Sequence, residues 1–175
     1  MSWGRCKIAV MSKRIKSLLV NILIFFSVYY AVHLYQTRLT PSGTAPEISG
    51  WMLEGKAFES LHASSKPVLV HFWATWCKVC KLEQGSINSL SQDYNVITLA
   101  SQSGSFSEVK KFQIDNDLKF PIIVDQNGSL AKQWGVVGFP SSFVVDENNE
   151  IRFVEVGFTT EIGLKLRLWL AKYLA

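Results

Sequence analysis

The stretch "FWATWCKVC", Phe72 to Cys80, sets two cysteines three residues apart behind a run of aromatic and apolar side chains. It follows "PVLVH", and together the two read as a buried β-strand running straight into the cysteine pair. From Val79 to about Gln92, the spacing of Val79, Leu82, Ser86, Ile87 and Leu90 predicts a helix. Cys77 therefore falls where a strand ends and a helix begins. Free backbone N–H groups and the positive end of the helix dipole stabilise a thiolate there. Lys78 adds a positive charge one residue on. Cys80 lies on the same helical face one turn further in, placed to attack a mixed disulfide formed on Cys77. The pattern predicts an exposed, acidic first sulfur and a sheltered second one.

Other uses of two cysteines find less support. A structural zinc site needs four ligands, and beyond Cys77 and Cys80 the only other cysteine is Cys6, near the N-terminus. Covalent haem attachment needs a histidine after Cys80, where Lys81 stands. A passive disulfide across so short a loop stabilises little. Copper(I) could take both thiolates, with His71 as a further ligand, so a copper-handling module remains the competing reading. Yet no histidine follows His71, and Met1, Met11 and Met52 do not cluster. No metal is therefore expected, and a redox-active disulfide serves in place of a cofactor.

Around this pair, strand and helix signals alternate. "WMLEGKAF" reads as a short hairpin, and "NVITLA" as a strand covered on both faces. Ser105 and Glu108 form a capping box that opens a helix reaching about Asp115. "FPIIVDQNG" is a strand and turn, and "SLAKQWG" a short helix stopped by Gly135. "SSFVVDENNEIRFVEVG" is a hairpin turning through Asp146 to Asn149, and Thr159 or Thr160 caps a last amphipathic helix ending near Tyr173. Strands separated by helices imply an α/β layered domain with parallel pairs.

The net charge of +4 is unevenly distributed. Arg5, Lys7, Lys13, Arg14 and Lys16 precede residue 36 with no acid among them, whereas the rest of the chain carries 13 basic and 14 acidic side chains. The folded part has no basic stripe, so no nucleic-acid partner is expected. The basic tail, 1–17, leads into "LLVNILIFFSVYYAVHLY", residues 18–35, which as a helix would be roughly 27 Å long and able to cross a bilayer. Positive charge before it, with only Arg38 soon after, keeps the N-terminus in the cytoplasm and sends the remainder across the inner (cytoplasmic) membrane. Tyr29, Tyr30 and Tyr35 suit the exit interface, and the bulky residues there do not form a cleavage site for a signal peptide. His33 reads as an interfacial residue and Cys6 as an inert cytoplasmic thiol. Residues 36–50, with their Pro, Ser, Gly and Thr, read as a linker, and 51–175 as the folded domain.

"VLVHFWATWCKVC", followed about sixty residues later by "VVGFPSSFVVD", resembles the membrane-anchored thioredoxin-like proteins of the TlpA, ResA and DsbE family. Within that group it is most similar to the suppressor-of-copper-sensitivity (ScsD) type. The resemblance covers about Trp51 to Tyr173. It implies a thioredoxin-like α/β fold, a central mixed sheet flanked by helices, preceded here by one transmembrane helix. The stretch "SFSEVKKFQIDNDLKFPIIVD" agrees with the insert of the TlpA group.

The resemblance also implies a thiol–disulfide oxidoreductase on the periplasmic side, acting on protein thiols and disulfides and recharged by a DsbD-like membrane donor. Cys77 would be the nucleophile and Cys80 the resolving thiol. Pro140 would be the family's cis-proline, Phe139 would offer backbone groups to an extended substrate, and Trp76 would flank the site. Copper tolerance is the implied setting.

Three residues depart from the pattern. His71 stands where thioredoxin has a buried aspartate, and is open to two readings: a proton shuttle for Cys80, or a core imidazole. Gly85 replaces a helix-kinking proline, while Glu83 before it matches the family with no chemical role assigned. Ser141 stands where cytochrome-maturation members carry an acid, which argues against a dedicated apocytochrome reductase.

Overall fold

The computed structural model describes residues 3–38, 43–58, 61 and 66–174, and divides into an N-terminal helix and a folded domain. The helix, α1, spans Trp3–Arg38. Its most apolar window, Ile15–Val32, has a mean hydropathy of 1.8 and is long enough to cross a membrane. Helix begins well before the apolar run, taking in most of the basic tail. The side chains of Cys6 and His33 lie outside the described residues.

The domain is built on one six-stranded sheet. Its strands are β1 (Gly43–Thr44), β2 (Val68–Trp73), β3 (Asn95–Ser101), β4 (Ile122–Asp125), β5 (Ser141–Val145) and β6 (Glu150–Val156). They lie in the order β1-β6-β5-β2-β3-β4. β2, β3 and β4 run parallel, while β5 is antiparallel to β2, β6 to β5 and β1 to β6. The helices are α2 (Lys78–Asp93), α3 (Phe106–Asp115), α4 (Ser129–Gln133) and α5 (Glu161–Leu174). This is the mixed, helix-flanked sheet that the sequence predicts, with α3 supplying the stretch between β3 and β4.

β2 is central and buried at all six positions. Because side chains alternate along a strand, Leu69, His71 and Trp73 share one face and Val68, Val70 and Phe72 the other. Leu69 and Trp73 pack with Ile87 and Leu90 of α2 and with Leu164 and Leu168 of α5. Val70 and Phe72 pack with Leu130, Trp134 and Phe143. His71 is therefore the one polar side chain that β2 sends towards α2 and α5.

The linker expected over 36–50 is only partly a linker. Gly43 and Thr44 pair with Ile151 and Glu150 of β6, and Ala45 and Ile48 are buried. Asn149, in the left-handed region at φ 64, donates its side-chain amide to the Ala45 carbonyl at 3.1 Å. β6 would otherwise present an open edge, and this short strand covers it. The folded domain thus extends N-terminally past Trp51, to Gly43.

The local signals at the other elements translate directly. Ser105 and Glu108 form the capping box of α3, and the hydroxyl of Thr160 accepts from the Gly163 amide at the start of α5. Trp51 and Ala57 bridge across the predicted turn.

Candidate active site

Cys77 is the N-cap of α2. Its Sγ accepts a hydrogen bond from the Cys80 amide at 3.1 Å, and its own amide donates to the Ala74 carbonyl at 3.1 Å. The local fold follows from β2 stopping at Trp73 and the chain turning through Ala74–Trp76. The Thr75 amide donates to Ser103 Oγ at 3.0 Å, tying this turn to the loop after β3. Cys77 and Cys80 are joined in a disulfide with their Cα atoms 5.3 Å apart.

The expected contrast in exposure holds only as an order. Cys77 is 7% exposed and Cys80 2%. In the disulfide form both sulfurs belong to the core cluster, with Phe139 packed against it. The first sulfur is less open than the sequence predicts, because Cys77 is part of the buried core cluster.

The loop before β5 brings the second motif to the same end of the sheet. The Phe139–Pro140 bond is cis, and the Pro140 carbonyl accepts from the Gly157 amide at 2.8 Å. Phe139 meets Trp76 edge-on, with ring centroids 5.8 Å apart. The Trp76 indole donates to the Gln102 carbonyl at 3.0 Å, which fixes the ring although it is 60% exposed. A groove with a volume of about 610 Å³ opens between Trp76, Gln102, Val136, Val137 and Phe139. Lys78 is the first residue of α2 and faces solvent.

His71 lies deeper. Its Nδ1 is 2.9 Å from Ser142 Oγ, across the β2–β5 pairing. Its Nε2 faces Glu83 Oε2 at 4.0 Å. Glu83 sits one turn beyond Cys80 on the buried stripe formed by Cys80, Glu83, Ile87 and Leu90. The Thr159 amide donates to its other oxygen.

Burial decides the protonation of both groups. It pushes the Glu83 carboxyl up from an ordinary 4.5 to about 7, against the Thr159 hydrogen bond. It also pulls the His71 imidazole down from 6.5 to about 4. Between those two values the pair is a neutral acid facing a neutral imidazole, and the 4.0 Å approach is not an ion pair.

The structure thus gathers Cys77, Cys80, Trp76, Phe139 and Pro140 at one pole of the sheet, with Lys78 at its rim. His71 is set back behind Glu83. Sequence reasoning gave Glu83 no chemical part. The available signal was a carboxylate on the apolar stripe of a helix, three residues after a cysteine. Ser142, which holds the imidazole, carried no signal at all. Among the described residues, no group of three or more metal-ligating side chains comes together.

Comparison with known proteins agrees with this geometry. Residues 40–164 match the Redoxin family. The thioredoxin-like protein YneN of Bacillus subtilis is 30% identical over 167 residues, spanning 88% of this chain and 98% of that protein. The thiol-disulfide oxidoreductase ResA of Bacillus thuringiensis is 31% identical over 131 residues, covering 72% of this chain and 75% of the relative. Among solved structures, StoA from Bacillus subtilis superposes with a TM-score of 0.61 at 27% identity, over 73% of this chain and 98% of its own. A DsbE-type protein from Chlorobium tepidum shares the fold with a TM-score of 0.68 at 23% identity, over 75% of this chain and 98% of its own. The chain belongs to the thioredoxin-like Redoxin family, as a thiol–disulfide oxidoreductase of the ResA/DsbE type with a Cys-x-x-Cys pair, Cys77 and Cys80, joined in a disulfide.

Proposed function

We propose that the chain is a membrane-anchored, extracytoplasmic reductase of protein disulfides. The observation that carries this reading is the Cys77–Cys80 disulfide at the N-terminus of α2, with the Cys80 backbone N–H donated to Cys77 Sγ. In the reduced enzyme, Cys77 thiolate attacks a substrate disulfide and one substrate sulfur leaves as a thiolate, which takes up a proton. Cys80 then loses its proton and attacks Cys77 Sγ, expelling the second substrate thiolate and closing the disulfide. Two electrons and two protons pass to the substrate. A DsbD-like donor in the membrane returns the electrons, and a passing substrate segment lies across Phe139 and Pro140.

Glu83 is the proposed proton acceptor for Cys80. A base is most effective when its pKa lies near the working pH, and Glu83 at about 7 meets that condition while His71 at about 4 does not. His71 instead occupies the space behind Glu83, held by Ser142. The same contacts argue against His71 as a third copper ligand beside the cysteines, the competing reading.

Residues 1–17 are proposed as a cytoplasmic tail and 18–35 as the membrane span, with the domain on the periplasmic side, consistent with the charge bias around α1. The motif resemblance to the ScsD type makes copper tolerance the proposed setting, through repair of copper-oxidised thiols.

The test is the reduction potential of the pair, measured by equilibration against glutathione. A value at or below the thioredoxin figure of about −270 mV supports a reductase, whereas one near about −120 mV would make the protein an oxidant.

A further inference from the structure

α5 carries two apolar stripes where a surface helix needs one. Leu164, Leu168 and Ala171 are buried against the sheet. On another face, Ile162, Leu166, Trp169 and Tyr173 are 80%, 54%, 54% and 66% exposed. Trp169 and Tyr173 stack obliquely at 4.9 Å, and the Lys172 ammonium lies 6.0 Å from the Tyr173 ring. Of its three cations, Lys165 pairs with Glu161 and Arg167 with Glu155 of β6, while Lys172 lies at the C-terminal end. Beside Trp169 is a recess of about 310 Å³, lined also by Lys66, Pro67, Asp93, Asn95 and Lys172.

The strand registers place this end of α5. Gly43 pairs with Ile151, Ile151 with Val145, and Val145 with Val68, whose other neighbour is Asn95. These residues form one row across the bottom of the sheet, and the recess beside Trp169 opens at that row. Cys77 follows the opposite end of β2, about 20 Å away along the strand. Gly43, where the described part of the domain begins, lies in the same bottom row.

We propose that the C-terminal half of α5, through Leu166, Trp169, Lys172 and Tyr173, rests in the anionic headgroup layer of the membrane that holds the anchor, turning the cysteine pair away from it. The proposal rests on reading α1 as a membrane anchor. Amphipathic rings and snorkelling lysines are the side chains that favour this layer, and Lys172, at the C-terminal end of the helix beside the Tyr173 ring, is the cation placed to meet anionic lipid. A second copy of the chain is a poorer occupant. Four half-exposed side chains offer on the order of 400 Å², about half of what one partner contributes to a standard interface.

The test uses the full chain reconstituted into phosphatidylethanolamine–phosphatidylglycerol vesicles, with a Trp3→Phe background removing the tail indole. Flotation with the vesicles reports on the anchor. Quenching of tryptophan emission by a lipid brominated near the carboxyl end of its acyl chains reports on docking. Lipid quenching should be lost on Trp169→Phe, weakened by Leu166→Gln, weaker in purely zwitterionic vesicles and unchanged by Trp76→Phe.

If the chain floats but Trp169 is quenched only by aqueous acrylamide, this face is free in water and the docking proposal falls while the anchor stands. If Trp169 is shielded from both quenchers, protein covers it, and the proposal is replaced by self-association. If the chain does not float, the anchor reading and the docking proposal fail together.

Discussion

Replacing Glu83 by glutamine keeps the size of the side chain and an oxygen to accept the Thr159 amide, but removes the ionisable group. Burial raises the Glu83 pKa from 4.5 to about 7, so the folded state resists its ionisation while the unfolded chain does not. As pH rises from about 4.5, the unfolded state loses this proton first. Stability therefore falls until the folded-state value near 7 is passed, and then levels off. At about 1.4 kcal/mol per pH unit, ionised Glu83 costs the fold on the order of 3 kcal/mol.

Denaturant unfolding of the disulfide-bonded protein, followed by fluorescence at pH 5 and pH 8.5, measures this directly. Glu83→Gln should gain stability over the parent at the higher pH by on the order of 3 kcal/mol relative to its effect at the lower. The titration of His71 is common to both proteins and drops out of the difference. Stability profiles that run parallel from pH 5 to 8.5 would mean that Glu83 ionises normally, and its candidacy as proton acceptor would fail. The same variant should flatten the pH dependence of mixed-disulfide resolution near 7, which the parent should show.

Two further outcomes are expected. Cys80→Ser should accumulate a covalent complex between Cys77 and substrate, visible by non-reducing electrophoresis, whereas Cys77→Ser should trap none; trapping by the latter would reverse the two roles. Gly85 lies in the interior of α2 and a Cβ there would meet nothing within 4 Å, so Gly85→Ala should stabilise the domain by about 1 kcal/mol in the same unfolding assay, with no change in activity.

Much of the architecture was legible in the chain because it is encoded locally. The apolar run "PVLVHFW", the Ser105–Glu108 capping box and the apolar spacing through α2 each specify an element by period or cap, and each forms where expected. The cysteine pair was legible for the same reason, since three residues on a helix fix both spacing and face. β1 was not, because two residues carry no period and pair only with a strand more than a hundred residues away.

The charge state of Glu83 and the placing of His71 are likewise tertiary facts. They arise where β2, α2 and the residues before α5 close over one carboxyl group and exclude the water that would keep it ionised. The sequence by itself determined that Cys77 and Cys80 lie together where β2 gives way to α2. Only the folded chain decided which buried group stands behind Cys80, because desolvation depends on neighbours that sequence distance does not reveal.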